Sequence, residues 1–168
     1  MRHGFEIGEH EAVVVYALDD GLAPFESASA CKVERITSQA QLLEFRATAE
    51  AVFDKDYAPT TGELAAALAD GSSNHLGYIG YVDGEPACIG RLYTSPSSEL
   101  GGLYGGGTLK KFRGRGCYRA MIAARARDAQ ELGARYLLVD ALPTSLPILL
   151  RLGFTHVNDT WPCVWNPK

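Results

Sequence analysis

Residues 99–119 constrain the fold more than any other stretch. "ELGGLYGGGTL" (99–109) holds five glycines in eleven residues, and "KKFRGRGCYR" (110–119) gathers Lys110, Lys111, Arg113, Arg115 and Arg119 around Gly114 and Gly116. The first segment predicts a strand whose bare backbone marks a bulge or a close approach by another molecule. From Tyr118 the spacing of Met121, Ile122, Ala126, Ala129 and Leu132 predicts a helix, with Gly133 as its stop. Arg125 interrupts that apolar face and must reach either its edge or a carboxylate. Strand, basic glycine turn and helix in this order make an anion site. The helix start offers unpaired N–H groups and partial positive charge. The glycines admit a ligand close to the backbone. A pyrophosphate or polyphosphate is the ligand implied.

The clustering matters because the chain is otherwise acidic, with 16 Lys and Arg against 20 Asp and Glu and a formal net charge of −4. That balance argues against broad nucleic-acid binding. A length of 168 residues, 46% of them hydrophobic, suits one globular domain. No apolar run approaches the ~18 residues that span a bilayer. "MRHGFEIGEHEA" lacks the apolar centre of a signal peptide, so a soluble, cytoplasmic protein is expected. Cys31, Cys88, Cys117 and Cys163 form no CxxC and are expected as reduced thiols. His3, His10, His75 and His156 show no metal-ligand spacing.

Around the central stretch, strands and helices alternate. "AVVVYAL" (12–18) and "CKVERIT" (31–37) read as strands. Capping boxes at Ser38–Gln41 and Thr60–Glu63 open two helices, and the proline of "DKDYAP" separates them. Asp83-Gly84 joins "HLGYIGYV" to "PACIGRLYT" as a hairpin. "RYLLVDA" (135–141) reads as a strand buried on both faces. A short helix follows, capped by Thr144 or Ser145 and ending at Gly153, and then "FTHV" and "WPCVW" as closing strands. The expectation is an α/β (α+β) domain on one mixed sheet. Both alternating faces of "AVVVYAL" are apolar, which predicts cover on both sides. The main sheet or a second copy of the chain can supply it, and a homodimer is the favoured expectation.

Two familiar phosphate motifs do not fit. Arg119 stands where a Rossmann fingerprint needs its third glycine, and no GxxxxGK[ST] run exists. "TLKKFRGRGCYRAM" is instead similar to the acetyl-CoA signature of the GNAT superfamily of N-acetyltransferases, Arg/Gln-x-x-Gly-x-Gly/Ala. Arg113-Gly114-Arg115-Gly116-Cys117-Tyr118 fits it except at the end, where Tyr118 replaces a small residue. "YLLVDA", a short helix and "RLGF" (151–154) follow in the family's order. The resemblance implies a GNAT domain over residues 31–168: a mixed, mostly antiparallel sheet flanked by helices. Residues 1–30 would precede it as an extension carrying an extra strand.

The resemblance also implies a chemistry, transfer of an acyl group from acetyl-CoA to a primary amine of a small molecule or peptide. Backbone amides of Arg113, Gly114, Arg115, Gly116, Cys117 and Tyr118 would hold the pyrophosphate of coenzyme A. Residues 103–109, Thr108 and Leu109 among them, would run beside the pantetheine arm, the backbone N–H near Gly106 would face the thioester carbonyl, and Ser145 would add a hydrogen bond to the cofactor. The family's usual glutamate base falls at Gly102 here, its tyrosine acid at Leu149, and its asparagine at Leu142. The customary groups are therefore missing. Tyr104, on the strand face of Gly102, and Glu99 are the candidate catalytic residues in their stead. Asp140 would cap the last helix or orient substrate, with capping the favoured expectation. A catalytically silent CoA-binding module is the alternative. Phe53, Tyr57, Trp161 and Trp165 would line a pocket or form core.

Overall fold

The computed structural model describes residues 4–26 and 29–165. Its strands are β1 (Phe5–Ile7), β2 (Glu11–Ala17), β3 (Lys32–Arg35), β4 (His75–Val82), β5 (Glu85–Ser95), β6 (Ser98–Thr108), β7 (Tyr136–Ala141), β8 (Thr155–Thr160) and β9 (Cys163–Trp165). Its α-helices are α1 (Gln39–Phe53), α2 (Ala58–Ala69), α3 (Cys117–Glu131) and α4 (Leu146–Arg151). Seven strands form one sheet in the order β3-β4-β5-β6-β7-β2-β8, while β1 and β9 pair as a separate ribbon. Every pairing in the large sheet is antiparallel except β6 with β7. This is the mixed, mostly antiparallel sheet expected.

Local chemistry explains most element boundaries. Ser38 caps α1, its Oγ accepting from the Gln41 amide at 3.3 Å. The β4–β5 turn places Asp83 at φ 53° and Gly84 at φ 82°, as a two-residue hairpin requires. The second capping box is not used. α2 starts earlier, with Pro59 in its first turn and the Asp56 carboxylate accepting from the Ala58 amide at 2.8 Å. Ser145 takes the N-cap position of α4, but its side chain makes no bond to the helix, and neither does that of Asp140.

β2 is an interior strand, paired on one edge with β7 and on the other with β8. Ala12, Val14 and Tyr16 are buried beside Leu149, Leu152 and Phe154, while Val13, Val15 and Ala17 are only half-buried. Cover on both faces was expected; one face receives it fully. The strand reaches its place within its own chain. β7 alternates likewise, with Leu137, Val139 and Ala141 buried. Trp161 and Trp165 are exposed, so neither is core.

α3 packs on one side of the sheet, and α1 and α2 on the other. Among the described residues no helix is long and apolar enough to cross a membrane.

Candidate active site

The site arises where the one parallel pairing stops. β6 and β7 hold register at Leu100–Tyr136, Gly101–Leu137 and Gly102–Leu138, then continue without further pairing. Between the diverging ends lies a cleft of about 240 Å³. Tyr104, Gly105 and Gly106 line it from β6, Asp140 from β7, Glu11 from β2, and Tyr118 and Arg125 from α3. Phe53, stacked on Tyr57 at 5.4 Å, and Ser145 also line it.

β6 carries the bulge that its glycines foretold. Ile89 pairs with Gly107 and Arg91 with Tyr104, so Gly105 and Gly106 together face Gly90. Gly105 has φ +55°, a conformation open to glycine. A Cβ on Gly107 would lie 2.4 Å from Val52 Cγ1 and 2.9 Å from Phe53 Cζ, so its bareness lets α1 close on the strand.

The basic turn sits beyond β6. Gly114 and Gly116 have φ of +79° and +78°, and Gly116 starts α3 with no side-chain cap, leaving its first amides free of such a partner. Two of the five cations are already paired on the hairpin, Lys111 with Glu85 and Arg115 with Asp83 at 3.6 Å. Arg113 is exposed and gives its Nε to the Thr108 carbonyl at 3.3 Å. Among the described residues Lys110, Arg113 and Arg119 have no carboxylate partner. Thr108 Oγ1 is buried without a hydrogen-bond partner, an orphan that a ligand at this turn would satisfy. The Leu109 amide is already bound to the Ala87 carbonyl at 2.9 Å. Turn and cleft meet at Tyr118, the second residue of α3. Free amides, remaining cations and an adjoining slot fit a long ligand with a phosphate end.

The candidate acid and base separate. Tyr104 lines the cleft at 38% exposure. Partial burial pushes its hydroxyl up, as do Asp140 and Glu11, so it stays protonated at neutral pH. Glu99 is not brought there. It is exposed at the other end of β6, about 20 Å along the strand, and pairs with Arg135 at 3.3 Å. Glu11 is the residue that sequence reasoning missed. Val13 stands opposite Asp140, so Asp140, Val13 and Glu11 share one sheet face, and the carboxylates are diagonal neighbours. Burial lifts the Glu11 carboxyl, and repulsion from Asp140 and Glu9 lifts it further. Tyr118 is half-buried, and its Cε2 lies 3.4 Å from where a Gly106 Cβ would be. The ring is a wall of the cleft. Among the described residues there is no metal-binding cluster.

The sequence matches no protein-family model and no curated protein. Solved structures do match. A GCN5-related N-acetyltransferase from Kribbella flavida superposes with a TM-score of 0.69 at 20% identity, over 99% of this chain and 61% of that one. AAC(6')-Iy, in complex with the bisubstrate analogue CoA-S-monomethyl-acetylneamine, gives 0.67 at 19% identity, over 82% of this chain and 97% of that one. A GNAT-family acetyltransferase from Novosphingobium aromaticivorans gives 0.63 at 18% identity, over 95% of this chain and 66% of that one. The chain thus spans about three-fifths of the Kribbella protein and just under two thirds of the Novosphingobium one. At these identities the likeness speaks for architecture: this chain has the fold of the GCN5-related N-acetyltransferases.

Proposed function

We propose that the chain is an acyl-CoA-dependent N-acyltransferase, using acetyl-CoA as donor and a primary amine of a small molecule or peptide as acceptor. One observation carries this reading: the cleft opened by the divergence of β6 and β7 runs to an uncapped helix start set in a basic glycine turn. The relative solved with a CoA-based analogue supports it.

The donor, when bound, supplies the thioester. The turn at residues 113–118 holds its phosphates, and Gly106, Thr108, Leu109 and Ser145 line the way to the cleft. Glu11 and Asp140 favour a cationic amine at the opposite wall. In the transfer the amine nitrogen forms a bond to the acyl carbon and the carbon–sulfur bond breaks. Glu11 takes the proton that the bound ammonium must lose before it can attack and passes it to solvent, and the second proton, released as the amide forms, goes to water. Tyr104 gives one to the departing thiolate and regains it from solvent. Burial and the neighbouring Asp140 and Glu9 move the Glu11 carboxyl upward from its ordinary value, the direction that strengthens it as a base.

The test is calorimetry with coenzyme A, followed by thiol release from acetyl-CoA across a panel of primary amines. Binding with turnover for some amines is expected. Absence of CoA binding would overturn the reading. Binding without turnover for any amine would leave only a CoA-binding module.

A further inference from the structure

Arg125 is the least expected side chain of the cleft. It lies mid-helix in α3, 1% exposed, at a position where the helical period calls for an apolar residue. Two glycines clear its slot. A Cβ on Gly90 would lie 3.0 Å from its Cζ, and one on Gly106 would lie 3.2 Å from its Nη2. Its Nε donates to the Met121 carbonyl at 3.1 Å and its Nη1 to the Arg91 carbonyl at 3.1 Å, with the Tyr104 carbonyl 3.5 Å away. Nη2 makes no hydrogen bond among the described residues, and no carboxylate lies within 4.0 Å of the guanidinium.

A cation withdrawn from water without a counter-charge is costly, and folded proteins pair such groups. Burial lowers the proton affinity of Arg125; Tyr118, Tyr78 and Cys88 act against that shift, and the charge of Arg91 adds to it. Arg91 gives its Nη1 to the Tyr93 hydroxyl at 3.0 Å but has no carboxylate partner among the described residues. Its Nε is buried without a hydrogen bond and would lie 3.2 Å from a Cβ on Gly105. Two guanidiniums therefore bracket the bulge at residues 104–106, and the described residues offer neither a carboxylate. The unsatisfied donor of Arg125 belongs to a residue that lines the cleft.

We propose that Arg125 is the cleft's contact for an oxygen of the acyl group, with Nη2 donating to that oxygen beside the bulge. The assignment rests on the donor reading above. The oxygen has two sources, the thioester carbonyl or the terminal carboxylate of a dicarboxylic acyl group such as succinyl.

The experiment compares wild type, Arg125→Met and Arg125→Lys. Free CoA, acetyl-CoA and succinyl-CoA are titrated by calorimetry, and the carbonyl stretch of bound, carbonyl-labelled acetyl-CoA is recorded. Free CoA should bind all three proteins about equally. The preference for acyl-CoA over CoA should fall about tenfold or more in Arg125→Met, as for a lost hydrogen bond from a charged group, with partial return in Arg125→Lys. A loss confined to succinyl-CoA identifies the carboxylate. A loss with both donors, together with a carbonyl stretch returning toward its frequency in water, identifies the thioester oxygen. Either supports the proposal. Wild-type preferences and an unmoved stretch in Arg125→Met would overturn it. If that variant does not fold, Gly90→Ala places a methyl 3.0 Å from the Arg125 Cζ and should produce the same losses; wild-type behaviour there would overturn the proposal equally. Failure of wild type to bind free CoA would instead remove the donor reading, and this assignment with it.

Discussion

Glu11 is half-buried beside another carboxylate, and both conditions hold its proton more tightly than the unfolded chain does. The folded state therefore binds more protons between the ordinary carboxylate range and the raised one, and stability falls as pH rises through that window. Glu11→Gln should leave thermal stability at neutral pH unchanged or slightly higher. Turnover should drop about 10²–10⁴-fold, as for loss of a general base. The pH–rate profile should lose its acidic limb. Retention of that limb would move the base elsewhere. Tyr118 makes a second test. As a cleft wall, its replacement by alanine should cost less stability than the roughly 3–5 kcal/mol of a fully buried aromatic, and should alter CoA affinity in calorimetry. A large stability loss with unchanged affinity would instead place the ring in the core. Tyr104 was legible from strand alternation, whereas Glu11 was not. Nothing in "GEHEAVVVYAL" says that its strand lies next to β7, and only that neighbour makes its carboxylate part of a site.

The basic turn was the most legible element, because glycine and cation spacing before an apolar helical period is a local signal. What stayed hidden was the pairing of Lys111 and Arg115 with the β4–β5 hairpin, a contact between distant segments. Gly116 sits at φ +78°, with Ser29 Oγ 3.2 Å from the position a Cβ would take. Gly116→Val should cost about 1–3 kcal/mol, as forcing a branched residue into that conformation does. It should also abolish CoA binding in calorimetry. Undiminished affinity would place the phosphates elsewhere. Attraction from Lys110, Arg113 and Arg119 is screened by salt, so affinity should weaken as ionic strength rises. A salt-independent affinity would count against a phosphate at the turn.

For the whole molecule, the order of elements was readable and the sheet order was not. Periodicity names strands one at a time, while partners are chosen by packing. Deleting residues 1–22 removes a strand with partners on both edges and should leave β8 without a neighbour in the sheet. The truncated chain is expected to aggregate or to lose cooperative melting by circular dichroism. A soluble product as stable as the parent would show that the strand is dispensable. The half-buried Val13 and Val15 keep the homodimer as a proposal, and light scattering at one chain's 18.1 kDa would end it.

The interior position of β2 has a consequence for synthesis. Its residues leave the ribosome long before their partners, because both partner strands lie well over a hundred residues later. Until they emerge, "AVVVYA" travels with two open edges and no charge to protect them. Native pairing of such distant segments is also entropically slow to form. The nascent chain should therefore resist protease in β4–α3 before β2 becomes protected. Arrested chains carrying residues 1–135 and a trailing linker that brings α3 clear of the ribosome, pulsed with protease, should be cut within residues 8–20, and released chains carrying β7 and β8 should not.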